Sequence, residues 1–173
     1  MSKRQLSRDA ITVRPAEESD RAALEDFSCS NGLECEDEVE DFIRTRALDT
    51  FFTRVADYRL LLAFEGEALA GVIAHRLDIL TLSNGDLLNA RLIQLLAVGV
   101  GYRGTVVEDG ARLSDTLLAT VVEEVKGFAE NDIFTAIIAN ENDRSLAMME
   151  RCGSWSQVAY DHLHVRLTGR FTI

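Results

Sequence analysis

The sequence contains few of the residues that mark several large classes of protein. It has one proline and three cysteines, Cys29, Cys35 and Cys152, without paired CxxC spacing. An odd number of such cysteines argues against a disulfide framework or a zinc site, so we expect reduced thiols and no metal. No segment approaches the roughly 18 consecutive apolar residues of a membrane span, and the N-terminus has no apolar run of signal-peptide length. We therefore expect a cytoplasmic protein without a membrane partner.

Basic residues are also scarce. Lys3 and Lys126 are the only lysines, the formal net charge is -11 and the sequence pI is near 4.7. An electrostatic field of this sign repels polyanions, and the sequence shows no local basic patch that would offset it. We therefore do not expect nucleic acid as a partner.

The length and the apolar content set the domain organisation. A chain of 173 residues with 47% hydrophobic residues is long enough to close one sizeable core. No linker, repeat or low-complexity segment divides it. We predict a polar N-terminal tail over 1–10, followed by a single domain over 11–173.

Hydrophobic periodicity predicts an α/β chain built around one mixed sheet. The predicted strands cover 11–15, 59–64, 68–80, 90–100, 134–139, 155–160 and 163–167. Helices are predicted near 17–20, over 36–58 with a break, from a cap at Ser114 and Asp115, and over 142–152. The predicted order is β-α-α-β-β-β-α-β-α-β-β. Strand alternation would also place Tyr160, His162 and His164 on one face of the sheet.

Two segments carry motifs. In 95–104 an apolar strand leads into V-x-x-x-[YF]-[RQ]-G, matched by Val98, Tyr102, Arg103 and Gly104. The segment 142–153 follows N-x-R-[AS]-x-x-x-[YF]-[EK]-[KR]-x-G except at Met149. Both resemble the Gcn5-related N-acetyltransferase (GNAT) superfamily, and with the element order the resemblance covers nearly the whole chain.

The resemblance has implications for fold and activity. It implies a GNAT-like mixed sheet and a homodimer as the tendency of the superfamily. It also implies transfer of an acetyl group from acetyl-CoA to an amine of a small molecule or of a protein or peptide. Which amine accepts the group is not readable from the residues.

A strand that leads into a helix through a glycine-bearing loop leaves backbone N–H groups at the positive end of the helix, which suits a diphosphate. The resemblance assigns acetyl-CoA to this loop, with pantetheine pairing along the preceding strand as an added strand would. The loop is about six residues longer than the superfamily pattern and includes the acidic pair Glu108 and Asp109. The residues predicted to bind the cofactor are Leu96, Val98, Val100, Arg103, Gly104, Thr105, Gly110, Arg112, Ser114, Asn142 and Ser145.

Acetyl transfer to an amine needs a group that removes the ammonium proton and a donor for the departing thiolate. The superfamily uses a tyrosine as the donor where this chain has Met149, and methionine cannot donate a proton. The strand 90–100 carries Gln94 but no carboxylate. The candidate catalytic residues are Gln94, Glu141, His75 and Tyr160, with Asp78 as a further base and Tyr102 or water as further donors.

Two other functions fit the same residues. Met149 and the missing strand carboxylate favour a non-catalytic or regulatory acyl-CoA-binding module. The acidic segment 34–40 would suit an interaction domain with a basic partner, although such a run is usually a solvated helix face.

Overall fold

The computed structural model describes residues 4–52, 57–107, 110–126 and 132–173. The strands are β1 Gln5–Leu6, β2 Ile11–Pro15, β3 Arg59–Glu65, β4 Ala68–Thr81, β5 Leu87–Val98, β6 Val106–Val107, β7 Phe134–Ala139, β8 Gly153–Ala159 and β9 His164–Phe171. The α-helices are α1 Arg21–Glu25, α2 Glu34–Thr45, α3 Ala47–Phe52, α4 Leu113–Lys126 and α5 Asp143–Cys152. Short 3-10 helices cover Arg8–Ala10, Glu18–Asp20 and Val100–Tyr102.

Seven strands form one mixed sheet in the order β2-β3-β4-β5-β7-β9-β8. Strands β5 and β7 run parallel, whereas β7 with β9 and β8 with β9 run antiparallel. Two residues join β3 to β4 and five join β4 to β5, and such short connections join antiparallel neighbours. The predicted α/β mixed sheet and its element order are confirmed.

The structure also differs from the prediction in three places. Strands β1 and β6 are additional, and they pair with each other in a separate two-stranded sheet. The helix predicted over 36–58 begins earlier, at Glu34, and has its predicted break between Thr45 and Ala47, while its residues 53–56 lie outside the described residues. The prediction that Tyr160, His162 and His164 share one face of the sheet is wrong, because Tyr160 and His162 lie between β8 and β9. The Asp161 carboxylate accepts the N–H groups of Leu163 and His164 at 2.7 and 2.8 Å, which makes a turn there instead.

By its internal contacts the chain divides into two compact units, Met1–Ala74 with Leu95–Leu118, and His75–Gln94 with Ala119–Ile173. In the first unit, helices α1 to α3 pack on strands β3 to β5. This core contains Leu24, Phe27, Cys29, Ile43, Ala47, Leu48, Leu60, Leu62, Phe64, Val72, Ala74, Leu95 and Ala97. Gly71 lies on β4 beside Val72, and a Cβ there would come within 2.8 Å of Leu117 Cδ1 in α4.

The acidic residues of α2 hold the loop that precedes the helix. The Glu40 carboxylate accepts the N–H groups of Cys29 and Ser30 at 2.7 and 2.8 Å and the Ser28 hydroxyl at 3.2 Å. Glu36 accepts the N–H of Asn31 at 2.7 Å. The acidic segment therefore has a structural role on this side, in addition to its solvated face.

The second unit packs α5 against the C-terminal strands. The indole N–H of Trp155 donates to the Met149 carbonyl at 2.6 Å, and the Trp155 ring meets Phe171 edge to face at 4.9 Å. Phe171 makes a similar contact with Phe134 at 4.8 Å. Aromatic pairs of this geometry add to the apolar burial, so the aromatic cluster fixes β8 and β9 relative to β7.

Among the residues that the structure describes, no helix combines the length and the apolar character that a membrane span requires.

Gly169 in β9 permits an unusually close approach of β8. A Cβ at this position would overlap the Ser154 carbonyl, whereas a Cβ at Gly101 would meet nothing within 4 Å. We predict that Gly169→Ala lowers the free energy of unfolding by about 1–3 kcal/mol, because a backbone atom of a paired strand must move. Gly101→Ala is the control and should change it by less than about 0.5 kcal/mol. Denaturant midpoints measure both effects, and similar small changes in both variants would contradict the close approach.

The Glu40 contacts generate a prediction about pH. The Ser30 N–H makes the largest contribution to lowering the pKa of Glu40 below its ordinary value of 4.5, although burial opposes it. The ionised carboxylate therefore stabilises the fold above this value, and the stabilisation is lost as the pH falls through the lowered pKa. Glu40→Gln should lower the free energy of unfolding by about 1–2 kcal/mol at neutral pH.

The difference between wild type and Glu40→Gln should shrink in acid. Urea unfolding from neutral pH to about pH 3 measures it. Glu38→Gln is the matched control, because Glu38 is an exposed residue of the same helix. If the two variants showed the same pH dependence, Glu40 would not be the group responsible.

Candidate functional site

Backbone hydrogen bonds fix the path of the polypeptide between β5 and α4 where it leaves the sheet. The N–H of Gly99 donates to the Ala70 carbonyl at 2.9 Å, and the N–H of Val100 donates to the Ser28 carbonyl at 2.9 Å. A 3-10 turn over Val100–Tyr102 follows, and Gly104 then adopts a φ of 73°. A side chain rarely accepts this φ, so the glycine of the motif serves the turn.

Beyond Gly104 the described residues of the loop bond to each other. Val106 and Arg112 make an isolated antiparallel bridge, and the Val107 N–H donates to the Ala111 carbonyl at 2.7 Å. Gly110 has a φ of 86°, and its N–H donates to the Val107 carbonyl at 2.8 Å. The acidic pair Glu108 and Asp109 lies outside the described residues. Much of the backbone that the sequence predicts to be unpaired is thus bonded within the loop.

Helix α4 begins earlier than predicted. It starts at Leu113, whose N–H donates to the Thr105 carbonyl at 3.3 Å. The prediction that Ser114 caps the helix is wrong. Asp115 in the first turn instead accepts the Arg112 N–H at 3.2 Å, and the Ser114 hydroxyl bonds the other Asp115 oxygen at 3.1 Å. A carboxylate therefore already stabilises the positive end of this helix.

Two polar groups of the loop are buried without a partner among the described residues, the Thr105 hydroxyl and Nη1 of Arg103. Thr105 is only 1% exposed. Nη2 of Arg103, by contrast, donates to the Cys29 carbonyl and lies 3.1 Å from Glu36 Oε2. The loop therefore contains one hydroxyl and one guanidinium nitrogen whose hydrogen-bonding capacity is unused by the described residues.

The strand before this loop extends past its ladder with β7. The ladder joins Arg91 to Phe134, Leu92 to Thr135 and Ile93 to Ala136. Strand β5 continues to Val98, and the predicted residues Leu96 and Val98 are half-buried on that later part. Val100 differs from them, because its N–H is already bonded to Ser28.

In the other unit, the predicted residues of α5 are bonded to each other. The Asn142 side-chain oxygen accepts the Ser145 N–H at 3.1 Å, which is an N-cap for the helix. Both residues are half-buried. Met149 faces the core with 1% exposure and lies where the motif usually has a tyrosine.

The four candidate catalytic residues differ in accessibility. Gln94, Glu141 and Tyr160 are exposed, and Tyr160 lies in the turn between β8 and β9. His75 is completely buried, and its Nε2 lies 2.9 Å from Glu124 Oε2 of α4. Burial of the whole ring leaves His75 without access to a substrate in this conformation.

A polar network that joins β4, β7 and β9 includes two residues that the sequence did not indicate. Asp78 Oδ2 accepts the Thr135 hydroxyl at 2.8 Å and Nη2 of Arg166 at 2.6 Å. Thr135 directly precedes Ala136, which belongs to the last β5–β7 pair. The only signal in the sequence was a hydroxyl within an otherwise apolar strand. The distance between two strands in the sheet cannot be read from the sequence, so the contact between Arg166 and Asp78 could not be predicted.

Cys29 is not an activated thiol, and the described residues show no metal site. Burial raises the pKa of the Cys29 thiol to about 12, with Glu40 as the next contribution, so a nucleophilic thiolate does not form there near neutral pH. No group of three or more histidine, cysteine or acidic side chains in this part of the chain is arranged to hold a metal ion.

Comparison with known proteins gives similarity in structure rather than in sequence. No family model and no curated protein matches the sequence. The PaiA N-acetyltransferase of Thermoplasma acidophilum, solved with coenzyme A, is similar at a TM-score of 0.67 and 16% identity, over 93% of this chain and 99% of that one. A GNAT-family protein from Desulfovibrio desulfuricans is similar at 0.61 and 18% identity, over 94% and 98% of the two chains.

A toxin is also among the similar structures. A mutant AtaT toxin bound to the C-terminus of the antitoxin AtaR and to acetyl-CoA has a TM-score of 0.63 and 13% identity, over 92% of this chain and 94% of that one. Identities this low establish the fold alone. With the mixed seven-stranded sheet and the strand, loop and helix described above, they show that this chain has the fold of the Gcn5-related N-acetyltransferases.

Proposed function

We propose that the protein is an N-acetyltransferase that moves an acetyl group from acetyl-CoA to an amine of a small molecule or of a protein or peptide. The observation that carries the proposal is the loop between β5 and α4. In this chain, which has a GNAT fold, the loop contains the Thr105 hydroxyl and Arg103 Nη1, both buried without a partner among the described residues. Buried donors are rarely left unpaired, and the anionic oxygens of a diphosphate would accept from both.

The loop also supplies a favourable electrostatic position. The diphosphate would lie at the positive end of α4, near Gly104, Gly110 and Ser114, with the exposed Arg112 beside it. Asp115 already occupies part of this field, so we assign the main attraction to Arg103 and Thr105. The coenzyme A and acetyl-CoA complexes of two similar structures support a cofactor in this fold.

The acyl arm of the cofactor would follow β5. We assign pantetheine to the backbone of Leu96 and Val98, because this part of the strand extends past the ladder with β7. Val100 is unsuitable as a donor, since its N–H bonds Ser28. We also propose that Asn142 and Ser145 contact the cofactor. The hydrogen bond from the Ser145 N–H to the Asn142 side chain fixes the start of α5.

Charge favours one class of acceptor. The net charge of -11 attracts cationic amines and repels polyanions. The network of Asp78, Thr135 and Arg166 provides polar groups beside the last β5–β7 pair. We propose that the acceptor is a small amine or a basic peptide and that this network contributes to its binding.

The chemistry requires the amine nitrogen to attack the thioester carbonyl, the carbon–sulfur bond to break, and the departing thiolate to gain a proton. His75 is buried against Glu124, and Asp78 is bonded to Arg166, so neither is a free base. Among the accessible candidates, Gln94 can orient the amine or a water molecule. We propose that the amine loses its proton to solvent before attack. Tyr160 or water then protonates the thiolate. Substitution of Glu141, the remaining accessible carboxylate among the candidates, tests whether solvent is the proton acceptor.

The cofactor assignment predicts binding of coenzyme A. At a ligand concentration about 100 times the dissociation constant, coenzyme A should stabilise the fold by about 2.7 kcal/mol, which is roughly 5–10 °C in a thermal-shift measurement. Thr105→Val removes the buried hydroxyl at nearly constant volume. It should weaken binding about tenfold in calorimetry, because one hydrogen bond to a charged group is lost.

The stability of the free Thr105→Val protein distinguishes this role from a structural one. Because the hydroxyl has no partner among the described residues, its removal should leave the apo protein equally stable or slightly more stable. Thr12→Val, at an exposed position of β2, is the control and should not change either quantity. Unchanged affinity in Thr105→Val would remove the hydroxyl from the site, and no shift of the wild type at millimolar coenzyme A would overturn the cofactor assignment.

The absence of a carboxylate on β5 leads to a prediction about the rate. In a screen of amines with acetyl-CoA, followed by release of the free thiol, kcat/KM should rise about tenfold per pH unit up to the pKa of the acceptor itself. Glu141→Gln should show the same slope. A plateau well below the pKa of the amine, abolished in Glu141→Gln, would contradict solvent deprotonation and identify Glu141 as the base.

The second candidate function is a non-catalytic acyl-CoA-binding module. The observation that favours it is Met149, which is buried at the position of the usual thiolate donor. Coenzyme A binding without thiol release across the amine screen would favour the module over the transferase.

A further inference from the structure

The N-terminal segment is attached to the proposed cofactor loop through its backbone. Strand β1 pairs in parallel with β6, joining Gln5 to Val106 and Leu6 to Val107. The Val106 N–H also donates to the Arg4 carbonyl at 3.0 Å. Leu6 and Val107 are 8% and 1% exposed, so an apolar contact accompanies the backbone pairing. A strand of two residues is marginal alone, and therefore each strand depends on its partner.

The side chain of Arg4 is attached to the start of the same loop. Its Nη2 lies 2.5 Å from Glu65 Oε2, and its guanidinium lies 4.8 Å from the centre of the Tyr102 ring. The Tyr102 hydroxyl donates to the same Glu65 oxygen at 2.9 Å. Burial, followed by the bond to Glu65, raises the pKa of Tyr102, so this hydroxyl remains a donor at neutral pH. Tyr102 directly precedes Arg103, and Arg4 therefore fixes the point where the loop begins.

The loop in turn fixes the start of α4. Val106 bridges Arg112, and the Thr105 carbonyl accepts the N–H of Leu113, the first residue of the helix. A change in the position of β6 would therefore move both Thr105 and the helix end. Each additional residue in a loop must lose conformational entropy when a ligand binds, unless other contacts have already ordered it.

We propose that β1 and Arg4 are positioning elements of the cofactor site. They order the enlarged loop before the cofactor binds. They thereby raise the affinity for the cofactor without contacting it. The proposal rests on the assignment of the loop to coenzyme A. The proposal also assigns a structural role to the extra residues of the loop, because they include the strand β6 with which β1 pairs.

The experiment compares variants of the full chain. Arg4→Gln removes the contact with Tyr102 and Glu65, Arg4→Lys keeps the charge, and a deletion of residues 2–6 removes β1. Arg8→Gln is the matched control, because Arg8 is an exposed arginine in the following 3-10 helix. Calorimetry gives the dissociation constants of coenzyme A and of dephospho-coenzyme A, and hydrogen exchange gives the protection of the Val106 amide, which donates to the Arg4 carbonyl.

We expect Arg4→Gln to raise the dissociation constant of coenzyme A about three- to tenfold, the deletion to raise it more than tenfold, and Arg4→Lys to recover most of the loss. Protection of the Val106 amide should fall in the same order, and Arg8→Gln should match the wild type. Loss of affinity should be equal for dephospho-coenzyme A. An effect confined to coenzyme A would mean that Arg4 contacts the 3′-phosphate directly, which would overturn the positioning role.

Hydrogen exchange separates this proposal from the proposed function. If the deletion leaves the protection of the Val106 amide unchanged, the positioning role is wrong whether or not coenzyme A binds. If wild type does not bind coenzyme A but the deletion exposes this amide, the cofactor assignment fails and the coupling between β1 and the loop stands. Unchanged coenzyme A affinity in both Arg4→Gln and the deletion would also overturn the proposal.

Discussion

The connection from β5 to α4 must turn sharply and enter a helix while its backbone groups find partners. The structure solves this with bonds from neighbouring segments of the same unit. The Ala70 carbonyl accepts from Gly99, the Ser28 carbonyl accepts from Val100, and Leu113 returns to Thr105. Buried backbone groups without partners are costly, so these bonds fix the path of the connection. The positions of Thr105, Arg103 and the start of α4 all depend on this path.

Acidic side chains hold the two arginines that border the loop. Glu36 and the Cys29 carbonyl engage Arg103, while Glu65 engages Arg4. In a chain of net charge -11, a guanidinium beside the proposed diphosphate site is also attracted to the protein's own carboxylates. These contacts reduce the positive electrostatic potential at the proposed site. They also limit the movement of the arginines, which reduces the entropy lost when a ligand binds.

The acidic helix α2 also helps to fix the path of the connection from β5 to α4. Its sequence has the composition of a solvated surface, and part of the helix is one. Glu40 nevertheless receives three donors from the loop before the helix, and that loop supplies the carbonyl groups that fix Val100 and Arg103. Charge composition could not distinguish a carboxylate that faces water from one that holds a loop, because both have the same helical spacing.

The main helices and strands and their order could be predicted from the sequence alone. Alternation and helical periodicity are local properties, so the mixed sheet, the strand Phe134–Ala139 and the helix capped by Asn142 follow from neighbouring residues. The motif match at Gly104 was also readable, and the structure gives this glycine a φ that other residues rarely accept.

The accessibility of the candidate residues and the contacts that hold the loop depend on tertiary packing and could not be predicted. His75 and Gln94 look equivalent as polar residues in strands, but one is buried against Glu124 and the other is exposed. Strand β1 lies in a segment with the composition of a tail, and its partner β6 is about 100 residues further along the chain. Pairing over such a distance depends on how the intervening elements pack, and the local sequence contains no measure of that.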